Sequence, residues 1–204
     1  MLFTTSTQHN NPAHLAGGIG NKIREVKAYF LSDEYLDKII SDQKWSEHGS
    51  HLDEADVLFE SLGLEYQAAI EQPETLKAAL RTWLPIRINF IISELEFELA
   101  DSKTIYRALS FTAADYGTFA PTIDTAKRVA DLGVYWSTRE DCEPWGSNIL
   151  NTDVTVYLSM EVNMESINII ETVRSRIDYK LGDDEQEINL LPTAPLNPIT
   201  VTLS

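Results

Sequence analysis

Three short segments in the second half of the chain carry side chains whose types and spacing suit chemistry. The first, Ile105-Tyr106-Arg107-Ala108-Leu109-Ser110-Phe111, sets an arginine inside an apolar, strand-like run. A guanidinium is costly to bury unless something anionic meets it, and its planar fork matches the oxygens of a phosphate. The second, Val134-Tyr135-Trp136-Ser137-Thr138, runs aromatics directly into two hydroxyls. A strand end of this kind can hold a ligand ring while the hydroxyls orient a neighbouring group. The third runs from Gly182 through Asp183-Asp184-Glu185-Gln186-Glu187 into Ile188-Asn189-Leu190-Leu191-Pro192. Residues two apart on a strand share a face, so Glu185 and Glu187 project side by side, where like charges repel. Each segment also has an ordinary reading: an edge-strand arginine turned to solvent, core aromatics followed by a helix-capping hydroxyl, and an acidic loop entering a strand.

Other candidates carry less. His48, His51, Asp53 and Glu54 are near one another in sequence, but Gly49-Ser50 suggests a turn between the histidines and no other histidine partner is near. Gly17-Gly18-Ile19-Gly20 has no preceding strand and no Lys-Ser/Thr to complete a phosphate loop. The single cysteine, Cys142, lies among acids that disfavour a thiolate. All four histidines fall within the first 51 residues, and no Ser–His–Asp arrangement is argued from them. No metal is expected.

The order of the three segments says more than any one of them. An arginine in a first strand, aromatic-Ser-Thr in a second, and Glu-x-Glu before an apolar strand and a proline resemble the Arg–Ser–Glu class of mono-ADP-ribosyltransferases, found among bacterial toxins, phage transferases and vertebrate ecto-enzymes. The resemblance covers residues 103–203, and a helical lobe ahead of the arginine strand is common among the toxins. It implies NAD as co-substrate. Arg107 would hold the NAD phosphates and ribose, with Tyr106, Tyr135 and Trp136 beside the cofactor. Ser137 would orient the catalytic glutamate and Thr138 would support the site. Glu187 would bind the nicotinamide ribose 2′-hydroxyl and stabilise the cation formed as nicotinamide leaves, and Glu185 would engage the acceptor. The stretch 174–184 would be the loop that recognises the target, with Arg174 and Tyr179 as contacts. Phe111, Tyr116, Tyr135 and Trp136 all remain candidates for the ring that stacks on nicotinamide.

That chemistry needs a scaffold that holds several strands side by side. Residues 1–20 are rich in turn-formers and read as a loose arm. From Asn21 helical spacing takes over: Ile23, Val26 and Phe30, then Tyr35, Ile39 and Ile40, with Ser32-Asp33 as break and cap. Residues 53–70 read as another helix, and Pro73-Glu74-Thr75 opens a third that Pro85 is expected to interrupt. Residues 90–99 read as helical again. After Asp101 strand-like runs alternate with short helical ones: strands at 104–111, 133–137, 153–162, 186–191 and 199–203, a helix at 123–132, and an ambiguous stretch at 167–177. Helices first and strands afterwards predict an α+β fold. The expected organisation is an arm at 1–20, a helical lobe at 21–100, and an NAD-binding, mostly antiparallel β core of two packed sheets at 101–204.

Composition sets the setting. The chain has 204 residues, 43% hydrophobic and 9% aromatic, which suits a globular protein with its own core. Its 32 acidic and 16 basic residues give a net charge of −16. Such a field repels nucleic-acid phosphates and anionic membranes and favours a basic protein partner, or it serves solubility alone. One cysteine excludes an intrachain disulfide and a zinc site built from several cysteines. The polar N-terminus lacks an apolar signal core and the longest apolar run is far too short to span a bilayer, so a cytoplasmic protein is expected, or one delivered into a host cell. The function expected is mono-ADP-ribosylation of a protein target by an effector, toxin or phage modifier. The alternatives are an NAD glycohydrolase of the same fold, or a non-catalytic acidic protein that masks a basic partner surface.

Overall fold

The computed structural model describes residues 22–45, 71–101, 103–144, 152–178 and 186–204. The arm at 1–20, the helix expected at 53–70, the His48/His51/Asp53/Glu54 group, Tyr179 and Glu185 lie outside the described residues. Helix α1 (Ile23–Phe30) buries Val26 and Phe30, one turn apart. It stops at Leu31 and Ser32, where the Ser32 hydroxyl donates to Tyr29 O (2.7 Å) and accepts from Tyr35 N (3.2 Å), capping the next helix. Helix α2 (Asp33–Trp45) opens with Asp33 and Glu34 at the positive end of its dipole. Tyr29, Phe30 and Tyr35 form an aromatic knot with centroids 4.7–5.5 Å apart at this corner.

Both helices pack on α3 (Pro73–Asp101), 29 residues long. The sequence reading expects Pro85 to break this segment, and the helix instead runs through it. The reason is burial on both sides. Leu76, Leu80 and Leu84 before the proline and Ile88, Ile91, Ile92, Leu95 and Leu99 after it lie in one continuous core. Tertiary packing outweighs the hydrogen bond that proline cannot donate. Lys77 with Asp37, and Arg81 with Asp33, tie α3 to α2.

The strands are β1 (Thr104–Phe111), β2 (Tyr135–Ser137), β3 (Val154–Glu161), β4 (Glu187–Asn189) and β5 (Ile199–Leu203). They form one antiparallel sheet in the order β4-β2-β1-β3-β5. The protein is therefore α+β. Among the described residues the strands make this single sheet, where two packed sheets are expected from the sequence. β1 and β3 pair along their full length, from Thr104↔Glu161 to Phe111↔Val154.

Between β1 and β2 the chain forms α4 (Ala113–Thr125), capped by Thr112, whose hydroxyl accepts from Asp115 N at 3.2 Å. A one-turn helix, α5 (Val129–Leu132), follows. The single helix expected at 123–132 is thus two pieces separated by residues 126–128. A short 3₁₀ turn, Met164–Ser166, leads into α6 (Ile169–Asp178). Ile169, Ile170, Val173 and Ile177 are buried at helical spacing, which settles the ambiguous stretch as helix. Arg174 accordingly sits in the body of α6 and not in a loop, and the expected recognition loop is helical as far as Asp178. One hydrophobic cluster runs from Val26 to Ala194, so the helices at the start of the chain share a core with the sheet.

Candidate functional site

The site is built by register. β2 and β4 are three-residue strands paired Tyr135↔Asn189, Trp136↔Ile188 and Ser137↔Glu187. Thr138 N donates to Gln186 O (3.2 Å) and Leu190 N to Val134 O (2.9 Å), which fixes Ser137↔Glu187 as a pair without mutual backbone hydrogen bonds. In such pairs the Cα atoms lie about 4.5 Å apart and the side chains are at their closest. On the other side of β2, Ser137 faces Tyr106 of β1. Glu187, Ser137 and Tyr106 thus form a row across three adjacent strands, with Tyr135 beside them on the same face.

Strand alternation sends Arg107 and Trp136 to the opposite face, with Ile105, Leu109, Val156, Leu158 and Ile188. Trp136 is 2% exposed and its Nε1 donates to Gly133 O at 2.9 Å, so its ring belongs to the core and not to a ligand surface. The aromatic preference of a half-buried strand explains its place there. Tyr135, by contrast, is exposed.

Arg107 is half-buried. One Nη donates to Tyr135 O, and its Nε is buried with no hydrogen-bond partner among the described residues. Its head lies against Gly133, where a Cβ would come 2.7 Å from Nη2. Gly133 has φ +96° and ψ 154°, a conformation open in practice to glycine alone. Burial pulls the guanidinium below its ordinary range, while the Cys142 thiol in its anionic form and the Glu187 carboxylate favour its charged form. Arg107 lines a cleft of about 360 Å³ together with Leu109, Phe111, Phe119, Asp115 and Leu132. Phe111 and Phe119 stack there, with centroids 4.7 Å apart. An unpartnered buried donor beside paired rings suits a ligand with an anionic group and a flat ring.

The structure therefore brings Ser137 and Glu187 together and sets Arg107 one strand away, on the other side of the sheet. Thr138 supports the region through a residue absent from the sequence reading. Its hydroxyl donates to Glu98 Oε2 (2.7 Å) and lies 3.2 Å from Gln186 Oε1. Glu98, from α3, holds Arg176 of α6 in a two-pronged pair at 3.0 and 2.9 Å. Arg176 Nε donates in turn to Glu187 O (2.9 Å). Gln186, just before Glu187, adopts φ +49°, a sparsely populated conformation for a side-chain-bearing residue. Arg174 pairs with Glu171 on its own helix.

Asn189 is the second residue the sequence reading passes over. Its Nδ2 donates to Glu187 Oε1 at 2.8 Å. Its position two residues from Glu187 is the one signal in the sequence that could have flagged it, because both must share a face. Among the described residues no group of three or more His, Cys, Asp or Glu is arranged to hold a metal ion, and no helix is long and apolar enough to cross a membrane. Comparison with protein-family models, with curated proteins and with solved structures gives no match.

Proposed function

We propose that the protein is an NAD-dependent mono-ADP-ribosyltransferase that modifies a protein target. The observation that carries this reading is the cross-strand pair of Ser137 and Glu187 on neighbouring strands. It makes a hydroxyl-bearing residue the cross-strand neighbour of a carboxylate-bearing one, as the resemblance asks of the residue that orients the glutamate. The partly unsatisfied Arg107 beside a ring-lined cleft suits the dinucleotide's phosphates. On this reading the helices of residues 21–100 form the lobe that buttresses the core at 101–204, and the sheet is one of the two packed layers the resemblance implies.

The mechanism follows from charge. Breaking the bond between nicotinamide and ribose C1′ sends the electron pair to a ring nitrogen that already carries positive charge. Nicotinamide leaves neutral and needs no acid. Positive charge builds on the ribose, as in glycoside cleavage. Glu187 stabilises it from a fixed position, which costs no reorganisation at the moment of reaction. Ser137 Oγ accepts from Arg139 N (2.9 Å), and the residue faces Glu187 across the strand pair; on this reading its hydroxyl orients the carboxylate. The acceptor nucleophile then bonds to C1′ and gives up a proton, for which Glu185 is the candidate base.

The test is transfer of label from NAD carrying a labelled adenylate to proteins of a cell lysate, with free ADP-ribose measured in parallel. Labelled protein that disappears with Glu187→Ala supports transfer. Free ADP-ribose without labelled protein makes the enzyme an NAD glycohydrolase. Neither product, in any lysate, overturns the reading and favours an acidic binding protein.

A further inference from the structure

We propose that Asn189 is the positioning residue for Glu187, and that it holds Oε1 so that Oε2 is the oxygen presented to the ligand. This rests on the reading of Glu187 as the group that meets the ribose.

Among the described residues, β4 pairs with a neighbouring strand on one side only. This strand lies at the margin of the sheet, where backbone N–H and C=O groups need other partners. Helix α6 and the residue just before it supply them. Thr172, fully buried, accepts from Asn189 N at 2.9 Å while its own hydroxyl donates to Asn168 O at 3.0 Å. Asn168 N donates to Asn189 O at 2.9 Å. Arg176 takes Glu187 O. The backbone on both sides of Ile188 is thus pinned to one helix.

The Asn189 side chain is held as tightly. It is 4% exposed, and its Nδ2 faces three oxygens: Glu187 Oε1 at 2.8 Å, Glu171 O at 3.4 Å and Ser175 Oγ at 3.5 Å. An amide nitrogen ringed by acceptors is fixed as the donor end, since the reverse orientation would set oxygen against oxygen. The contact with Glu187 is charge-assisted, the strong class of hydrogen bond. Asn189 grips one oxygen of the carboxylate, and Ser137 faces Glu187 across the strand pair. A carboxylate that must stabilise charge at one atom gains most from such fixed orientation.

The experiment measures nicotinamide release by the full chain with Asn189→Asp, Asn189→Ala, Asn189→His, Thr172→Val and Glu187→Gln, beside the unchanged protein. Asn189→Asp is near in shape and replaces the donor with an acceptor. It is expected to lower kcat by at least ~10-fold, the scale of a lost charge-assisted bond, with KM for NAD within ~2-fold. Asn189→Ala falls likewise, and Asn189→His, which keeps an N–H donor, recovers part of the loss. Thr172→Val removes the hydroxyl that accepts from Asn189 N, so it is expected to lower both the thermal midpoint and kcat, the latter by less than Asn189→Ala does. If Glu187→Gln abolishes release while Asn189→Asp and Asn189→Ala keep full kcat, the positioning role is overturned and the NAD reading stands. If Glu187→Gln retains release, or the unchanged protein shows none, the NAD reading fails and takes this role with it.

Discussion

Ser137 and Glu187 face each other across the β2–β4 pair, on two three-residue strands separated by about fifty positions in sequence. The prediction that follows is one of shared work. Ser137→Ala lowers the kcat of nicotinamide release by ~10- to 100-fold, the worth of a hydrogen bond to a charged group. Glu187→Ala lowers it by about 100-fold or more. Because the hydroxyl acts through the carboxylate, the double variant is no slower than Glu187→Ala alone. Multiplicative losses in the double variant would show that the two act apart.

Gly133 and Arg107 make a second pair. Alanine at Gly133 meets a backbone conformation closed to side chains and a guanidinium 2.7 Å from its Cβ. Gly133→Ala should cost about 1–3 kcal/mol in chemical unfolding. It should also weaken NAD binding by calorimetry, because the arginine head must move. Retained affinity together with lowered stability would mean that Arg107 does not hold the ligand.

The buried pair of Arg176 and Glu98 differs in kind from the exposed pairs. The Arg176 side chain is 1% exposed and Glu98 11%. Removing one partner strands a charge, so Glu98→Ala should lower unfolding stability by about 3–5 kcal/mol. Arg81→Ala breaks an exposed pair with Asp33 and should cost about 0–1 kcal/mol. Equal losses from the two substitutions would contradict the burial argument.

Much of the scaffold is legible in the sequence. β1 and β5 alternate without breakers, and their expected spans agree with the structure. Most of α4 is not legible because none of its residues is fully buried, so it shows no apolar period, and it contains Gly117 and Pro121, both poor helix formers. The continuity of α3 through Pro85 depends on packing against α1, α2 and α6, which local sequence does not carry. Of the site, the three segments and their order are legible. Strand alternation already separates Arg107 from Tyr106. The matching of Ser137 to Glu187 is not, because register between distant strands is set by the whole sheet. The part played by Asn189, Thr172 and Arg176 depends on where α6 docks, 11 to 17 positions away along the chain.

Asp131 gives a pH prediction. Its carboxylate accepts from Lys127 N (2.9 Å) and Arg128 N (3.0 Å), and these bonds hold its pKa below the ordinary range. A depressed folded value means stability that is present above the unfolded pKa of about 4 and lost as pH falls through the folded value. The difference in urea midpoint between the unchanged protein and Asp131→Asn should hold steady from neutral pH down to about 5. It should shrink as pH drops below about 4. A difference that stays constant through the acid range would contradict the assignment.

The central claim is tested most directly by nicotinamide release from NAD, measured for the purified protein and for Glu187→Ala with a cell lysate as acceptor. The account predicts release by the unchanged protein and its loss on the substitution, with the thermal midpoint of the variant preserved. Release that survives Glu187→Ala, or its absence from the unchanged protein in every lysate, would contradict it.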